Sequence, residues 1–183
     1  MKQLAAISVI FSLIFCSCRK EHPLITPVNA HANLILNGSF ENSGFPDLSH
    51  WYSDQLMTGD SVNHDAPSGG GQWSLHVEPQ WFPQEGYREQ AIVAGTGTAI
   101  YTLSCSMKNF NNWTGTMSLR LRRAGITAIM GQISSNDSVW TNVSLTDTVT
   151  LLPTDSLLVH LSAGSTELVY GWSAFDKVVL IRN

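Results

Sequence analysis

The sequence is poor in cysteine and in positive charge, and each shortage argues against a class of protein. Its 183 residues contain only three cysteines. Two of them, Cys16 and Cys18, lie near the N-terminus, so Cys105 has no partner for a disulfide within the body of the chain. We expect Cys105 to be a small buried apolar residue. From Ala32 onward, 7 Lys or Arg stand against 13 Asp or Glu, which argues against nucleic acid as a partner.

Long apolar runs are also missing beyond the first residues. The run from Leu4 to Phe15 is 12 residues long, whereas a membrane-spanning helix needs about 20. A short apolar run behind a positive start is typical of a signal peptide, which we place at residues 1–17. We therefore expect no membrane-spanning segment in the sequence.

The end of this run resembles the lipobox of bacterial lipoproteins, because the small residue Ser17 directly precedes Cys18. The resemblance implies cleavage before Cys18 and lipidation of that cysteine, with Cys16 as the alternative. Residues 18–31 would form a tether, and the membrane would be contacted through the lipid anchor only. Arg19 follows instead of Asp, which implies the outer membrane, on its periplasmic or cell-surface side. The alternative is an ordinary secretory signal with two incidental cysteines.

The rest of the chain alternates between apolar and polar residues with a period of two, as in Trp73 to Val77 and Met117 to Leu121. Clusters of Gly, Asn, Asp and Ser separate these runs, and the helix formers Glu and Lys are scarce. The pattern predicts an all-β sandwich that forms a single domain over residues 32–183. The last run, Phe175 to Ile181, is almost continuously apolar, which is typical of a central strand.

Five motifs in order along residues 33–183 resemble carbohydrate-binding modules of families 4, 9 and 22, and more broadly the galactose-binding-like jelly rolls. The first and last motifs are NGSFE, which ends at Glu41, and FDKVVL, which starts at Phe175. Between them come PSGGGQWSLHV, REQAIVAGTGTAIYTLSCSMK and SVWTNVSL. The resemblance implies a jelly-roll β-sandwich and carbohydrate as the partner.

The same resemblance implies a structural calcium ion near the chain ends. Carried over to this sequence, its ligands are Glu41, Asp176 and backbone carbonyls near residues 68–70. Calcium takes 6–8 oxygen ligands in proteins, and carboxylates and carbonyls supply them. The alternative is that Glu41 caps a turn while Asp176 contacts Lys177 or solvent. Lys177 departs from the family pattern, in which a second acid is frequent at this position.

Two tryptophans lie in polar loops, Trp81 in EPQWFPQEGY and Trp113 in FNNWTGT. An exposed aromatic residue on a loop is a hint of a binding site, so we predict that both contact ligand. The alternative is that they fold back onto the edge of the sandwich.

A polar strand face is the second predicted part of the binding site. If the strands from Tyr87, Ile100, Met117 and Val139 are neighbours, their polar faces form one locally basic surface. Its members are Arg88, Gln90, Ser104, Ser106, Lys108, Arg120, Arg122 and Asn142. Arginine forks suit carboxylates and hydroxyl pairs, which predicts a glycan ligand, including an acidic one. An ordinary solvated strand face is the alternative. The predicted ligand set is Trp81, Tyr87, Arg88, Gln90, Trp113, Arg120 and Arg122.

Catalytic motifs are weak. Gly59-Asp60-Ser61 resembles the Gly-Asp-Ser of a lipase and esterase family, but Asp47-x-x-His50, with that family's Asp-x-x-His spacing, precedes the serine instead of following it. We therefore predict a non-catalytic, lipid-anchored envelope protein that binds carbohydrate. A protein-interaction or envelope-assembly module on the same fold is the alternative, and a hydrolase is a third.

Overall fold

The computed structural model describes residues 31–53, 59–79, 85–166 and 169–183. The predicted signal peptide, most of the tether, Cys18 and Trp81 lie outside these residues. The described strands are β1 (Glu41–Asn42), β2 (Phe45–Pro46), β3 (Ser61–Asn63), β4 (Ser74–Val77), β5 (Gly86–Ile92), β6 (Gly97–Phe110), β7 (Thr114–Arg123), β8 (Ile126–Ser135), β9 (Thr141–Leu151), β10 (Ser156–Gly164) and β11 (Trp172–Arg182). Among the described residues we find no helical segment that could span a lipid bilayer.

The strands form two antiparallel sheets that pack as a sandwich, as the sequence predicts. One sheet has four strands in the order β5-β10-β7-β8, and the other has five in the order β3-β4-β11-β6-β9. Strands β1 and β2 form a separate small ribbon. The nearly continuous apolar strand β11 lies inside the five-stranded sheet, between β4 and β6, as its pattern predicts.

The core lies between the two sheets and is filled by alternate residues of each strand. Met117, Leu119 and Leu121 of β7 are buried there, as is Cys105 of β6. Desolvation raises the pKa of the Cys105 thiol further above its ordinary value, with the charge of Asp176 adding to the effect. Cys105 is therefore the inert apolar residue that its position in the alternation predicts.

The two ends of the body meet, as the resemblance implies. Asn33 bridges Ile181 of β11, and the backbone N–H of Leu34 donates to the carbonyl of Leu180 at 2.8 Å. Further along, the N–H of Val178 donates to the carbonyl of Gly38 at 2.9 Å. The segment before β1 therefore runs beside the last strand.

The prediction that the four strands of the polar face are neighbours in one sheet is wrong. Strands β5 and β7 belong to the four-stranded sheet, whereas β6 and β9 belong to the five-stranded sheet. Four members of the predicted face therefore lie on the other side of the sandwich, namely Ser104, Ser106, Lys108 and Asn142. Strand order depends on long-range pairing, which period-two alternation alone does not define.

Candidate functional site

One polar and aromatic surface covers the outside of the four-stranded sheet. Opposed residues of antiparallel strands point to the same side, so the register assigns each side chain to a face. Glu89 is opposed to His160, which in turn is opposed to Ser118, and Tyr52 bridges Glu89 from the other side. We call the surface formed by Tyr52, Tyr87, Glu89, Ser118, Arg120, Arg122 and His160 the Glu89 face.

Glu89 is the centre of this face and is only 5% exposed. The Tyr52 hydroxyl donates to its Oε1 at 2.8 Å, and Nη2 of Arg122 donates to the same oxygen at 3.1 Å. Nδ1 of His160 lies 3.3 Å from Oε2. Burial alone would raise the pKa of Glu89, but these hydrogen bonds and the charges of its partners outweigh it, so its pKa is lowered. Glu89 is therefore an anion at neutral pH.

The remaining side chains are held around this carboxylate. The Tyr87 ring stacks on His160, with centroids 4.6 Å apart and an interplanar angle of 24°. Nε of Arg120 donates to the Ser118 hydroxyl at 2.9 Å. Arg122 extends from β7 across β10 to reach Glu89 on β5, and its side chain is still 45% exposed. The Glu89 face thus combines aromatic rings, arginine donors and a carboxylate in a fixed arrangement.

Two predicted ligand residues of β5 lie on the opposite face. Arg88 is opposed to Leu161, and Gln90 to Val159, and both of these partners point into the core. Nε of Arg88 donates to buried Asp60 at 2.8 Å. The Gln90 side chain accepts from the N–H of Leu36 and donates to its carbonyl, at 2.8 Å each. Both therefore fasten other segments to the sandwich.

A single apolar residue of β5 indicates that Arg88 and Gln90 point toward the core. Ile92, the last residue of β5, shares their parity and is buried. Tyr87 and Glu89 have the other parity and point outward. Because β5 is an edge strand with one apolar inward residue, the alternation of polar residues alone does not show which side faces the core.

Trp113 does not form an exposed platform, and this part of the prediction is wrong. The residue is 1% exposed and belongs to the core, and its Nε1 donates to the carbonyl of Val169 at 3.1 Å. Gly171 makes room for it, because a Cβ there would overlap the indole ring. The residues on either side of Trp113 in the sequence are polar, so the sequence does not indicate that its indole ring is buried.

The two acids predicted for calcium converge on one glycine turn. A Cβ on Gly70 would collide with Oδ2 of Asp176, and a Cβ on Gly71 would collide with the carboxylate of Glu41. The N–H of Gln72 donates to Oε2 of Glu41 at 3.0 Å. Glu41 from the first strand and Asp176 from the last therefore face each other across this turn.

Asp176 is the unusual member of this pair. Its side chain is completely buried, and its Oδ2 has no hydrogen-bond partner among the described residues. The backbone N–H of Lys177 donates to Oδ1 of Asp176 at 2.7 Å. Lys177 has a φ of 53° and lies in a bulge that interrupts the pairing of β11 with β6. Burial, with the nearby charge of Glu41, raises the pKa of Asp176 to about 7. An unpaired buried oxygen beside a second acid fits a cation.

The donor set here would be small. Within the described ranges, no three His, Cys, Asp or Glu side chains group as metal ligands. A metal between Glu41 and Asp176 would therefore depend on these two carboxylates and on backbone carbonyls, which calcium accepts and a transition metal less readily.

The serine of the lipase-like motif has a histidine nearby but no hydrogen bond to it. Ser61 is opposed to His76 across β3 and β4. The Ser61 hydroxyl accepts from Nδ2 of Asn63 at 2.7 Å, while Nε2 of His76 has no partner among the described residues. The His76 ring packs instead against Trp172, with centroids 4.3 Å apart. This arrangement lacks the serine–histidine hydrogen bond that activates a nucleophile.

Comparisons with known proteins place the fold. No protein-family model matches the sequence, and no curated protein matches it either. Solved structures do: a CBM22-1 xylan-binding domain from Paenibacillus barcinonensis Xyn10C has a TM-score of 0.59 at 14% identity, over 85% of this chain and 97% of that one. TmCBM61 in complex with β-1,4-galactotriose has a TM-score of 0.55 at 15% identity, over 83% of this chain and 99% of that one.

An enzyme-containing structure is similar as well. The enzymatically active domain of bacteriophage CBA120 tailspike protein 4 has a TM-score of 0.60 at 17% identity, over 82% of this chain. The similarity spans only 21% of the tailspike chain. At these identities the comparisons define the fold. The chain has the jelly-roll fold that is shared by carbohydrate-binding modules of families 4, 16, 22 and 61.

Proposed function

We propose that the chain is a non-catalytic module that binds carbohydrate on the Glu89 face. The observation that carries this proposal is the cluster around Glu89, in which three side chains from three other segments hold one buried carboxylate on the outside of a sheet. The fold supports it, because the similar modules include ones named for binding xylan and β-1,4-galactotriose.

The face has the groups that recognise a sugar. The Tyr87 ring, held by its stack on His160, offers an apolar surface to the C–H side of a pyranose. Arg120 and Arg122 donate to hydroxyls, and Glu89 accepts from them. Because the side chains are already fixed by hydrogen bonds, little conformational entropy is lost when a glycan binds.

The two arginines favour a glycan that carries carboxylates. Glu89 neutralises Arg122 in part, whereas Nε of Arg120 donates to the neutral Ser118 hydroxyl. A planar guanidinium with donors to spare suits the carboxylate of a uronic acid. Pectin and glucuronoxylan are therefore the acidic probes to compare with neutral xylan and β-1,4-galactan.

The test is affinity electrophoresis of the full chain in gels that contain each of these four polysaccharides. We expect retardation in at least one gel, and a loss of about ten-fold or more in affinity for Arg120→Ala, since a charge-assisted hydrogen bond contributes roughly 1.5–3 kcal/mol. Arg182→Ala, on the other sheet, is the matched control. Unchanged retardation of Arg120→Ala and Tyr87→Ala would exclude the Glu89 face.

We also propose that calcium binds between Glu41 and Asp176 and stabilises the fold. When bound, the ion supplies positive charge and fixed coordination, and it performs no reaction step. Three observations support this. The two carboxylates lie so close to the glycine turn that a Cβ on Gly70 or Gly71 would overlap them. In addition, Asp176 is buried beside Glu41, and its Oδ2 has no hydrogen-bond partner among the described residues. By joining the first strand to the last, the ion would lock both ends of the domain.

Attachment to the outer membrane through Cys18 is a further part of the proposal. It rests on the sequence around Ser17 and Cys18. Labelling of growing cells with a radioactive fatty acid should mark the wild-type chain and the Cys16→Ala variant. The Cys18→Ala variant should stay unlabelled, and labelling that follows Cys16 instead would move the anchor to that residue.

A further inference from the structure

We propose a second carbohydrate site, for a neutral sugar, on the other sheet of the sandwich. It is a cavity of about 440 Å³ at the end of β6, and we call it the Phe110 pocket. Its lining includes Phe110, Asn111, Asn112, Asn136, Ser138 and Trp172. The volume lies in the range of small-ligand sites and is ample for one or two sugar rings.

The aromatic part of the pocket is fixed in place. Phe110 and Trp172 are opposed across β6 and β11, and their rings lie 5.5 Å apart at 15°. The Trp172 ring is also packed against His76 and lies 6.0 Å from Nζ of Lys108. Phe110 is nevertheless 42% exposed. Its ring is therefore an exposed apolar surface whose orientation is set by its stack on the half-buried Trp172.

The polar part of the pocket is a rigid turn. Asn111 and Asn112 both adopt left-handed backbone conformations, with φ of 56° and 60°. Nδ2 of Asn111 donates to the carbonyl of Tyr170 at 2.8 Å, and the next residue, Trp113, is buried. The turn is thus anchored on both sides, which holds its amide groups beside the Phe110 ring.

The chemistry of this lining favours a neutral sugar. An exposed aromatic ring suits the C–H face of a pyranose, and amides both donate to and accept from hydroxyls. The one cationic lining residue, Lys108, is paired with Asp65 at 2.9 Å. The pocket therefore offers no free charge to an acidic glycan, in contrast to the arginines of the Glu89 face.

The pocket is on the opposite side of the sandwich from the Glu89 face. Phe110 and Trp172 belong to the five-stranded sheet, and their parity is that of Lys108 and Ala174, away from the core residues Met107 and Phe175. The proposal therefore does not depend on sugar binding at the Glu89 face. Each site can be removed without the other.

The test follows the indole N–H signal of Trp172 by NMR while the full chain is titrated with xylohexaose and with β-1,4-galactotriose. The signal is assigned from its loss in Trp172→Phe. We expect a saturable shift in the wild type and in Arg120→Ala, with apparent affinity weakened about ten-fold in Phe110→Ala because a stacked ring is lost. Phe45→Ala, at a residue 72% exposed in β2, is the matched control.

Asn136→Ala leaves the aromatic pair intact and should weaken the same shift, which separates a binding role from a folding defect. The proposal is overturned if neither sugar shifts the signal, or if Phe110→Ala keeps wild-type affinity. It is also overturned if the shift disappears in Arg120→Ala and persists in Phe110→Ala, because the response would then come from the Glu89 face. Loss of binding at that face alone leaves the Trp172 response in place.

Discussion

Removing the buried charge at position 176 should stabilise the calcium-free protein. The pKa of Asp176 is about 7 in the folded, metal-free chain, against an ordinary value of 3.8. The unfolded chain therefore releases this proton above pH 4, whereas the folded chain keeps it until about pH 7. Between these values the folded state binds one proton more, so the free energy of unfolding falls as the pH rises and is lowest above about 7.

The size of this effect follows from the shift. About three pKa units at 1.36 kcal/mol each give about 4 kcal/mol at pH 8. Asp176→Asn keeps the shape of the side chain and removes the charge, so it should recover much of this difference in EDTA. The wild type should instead be stabilised by calcium, by about 2.7 kcal/mol at a hundred times its dissociation constant. The variant should lose that response.

Urea unfolding at pH 8, with EDTA or with calcium, measures both quantities. Asp147→Asn, on strand β9, is the matched control and should keep the calcium response. The reasoning is refuted if Asp176→Asn is no more stable than the wild type in EDTA. It is also refuted if calcium stabilises both proteins equally, because the ion would then bind elsewhere.

Three further variants test other parts of the structure. Arg88→Ala should destabilise the fold by about 3 kcal/mol in urea unfolding, because it leaves the buried Asp60 carboxylate without its cation, and should not alter glycan specificity. Burial lowers the pKa of His76 from 6.5 to about 4. The wild type should therefore lose about 3 kcal/mol of stability relative to His76→Gln as the pH falls from 6.5 to 4, because the unfolded chain then binds a proton that the folded chain does not. Parallel profiles of unfolding free energy against pH for the two proteins would contradict this. Gly71→Ala should abolish the calcium-dependent rise in unfolding midpoint, since φ is +87° and a Cβ would displace Glu41; a normal calcium response would exclude that turn.

The meeting of Glu41 and Asp176 was predicted from the resemblance to carbohydrate-binding modules, which implies a calcium site near both ends of the domain. In the structure Glu41 opens β1, Asp176 lies within β11, and a glycine turn contacts both. Strand alternation alone would not have brought these two acids together. The result is a site whose residues are 135 positions apart and share one turn.

The Glu89 face could be predicted only in part, because its members depend on which strands pair. Tyr87, Arg120 and Arg122 were in the predicted set and lie on this face. Glu89 and His160 were missed, since an acid and a histidine on separate strands gain meaning only from their register, in which they are directly opposed. Strand alternation defines sides within one strand, and long-range pairing defines which strands share a side.

The state of Glu89 argues for binding and against glycoside hydrolysis at this face. A hydrolase of the usual kind needs a carboxylic acid whose pKa is raised, so that it can protonate the leaving oxygen at neutral pH. Hydrogen bonds from His160 and Tyr52 outweigh the burial of Glu89 and lower its pKa instead. Its two oxygens also accept from three neighbours, which fixes the carboxylate in place. An immobilised acceptor that is ionised at neutral pH can orient a hydroxyl group, and at that pH it has no proton to give.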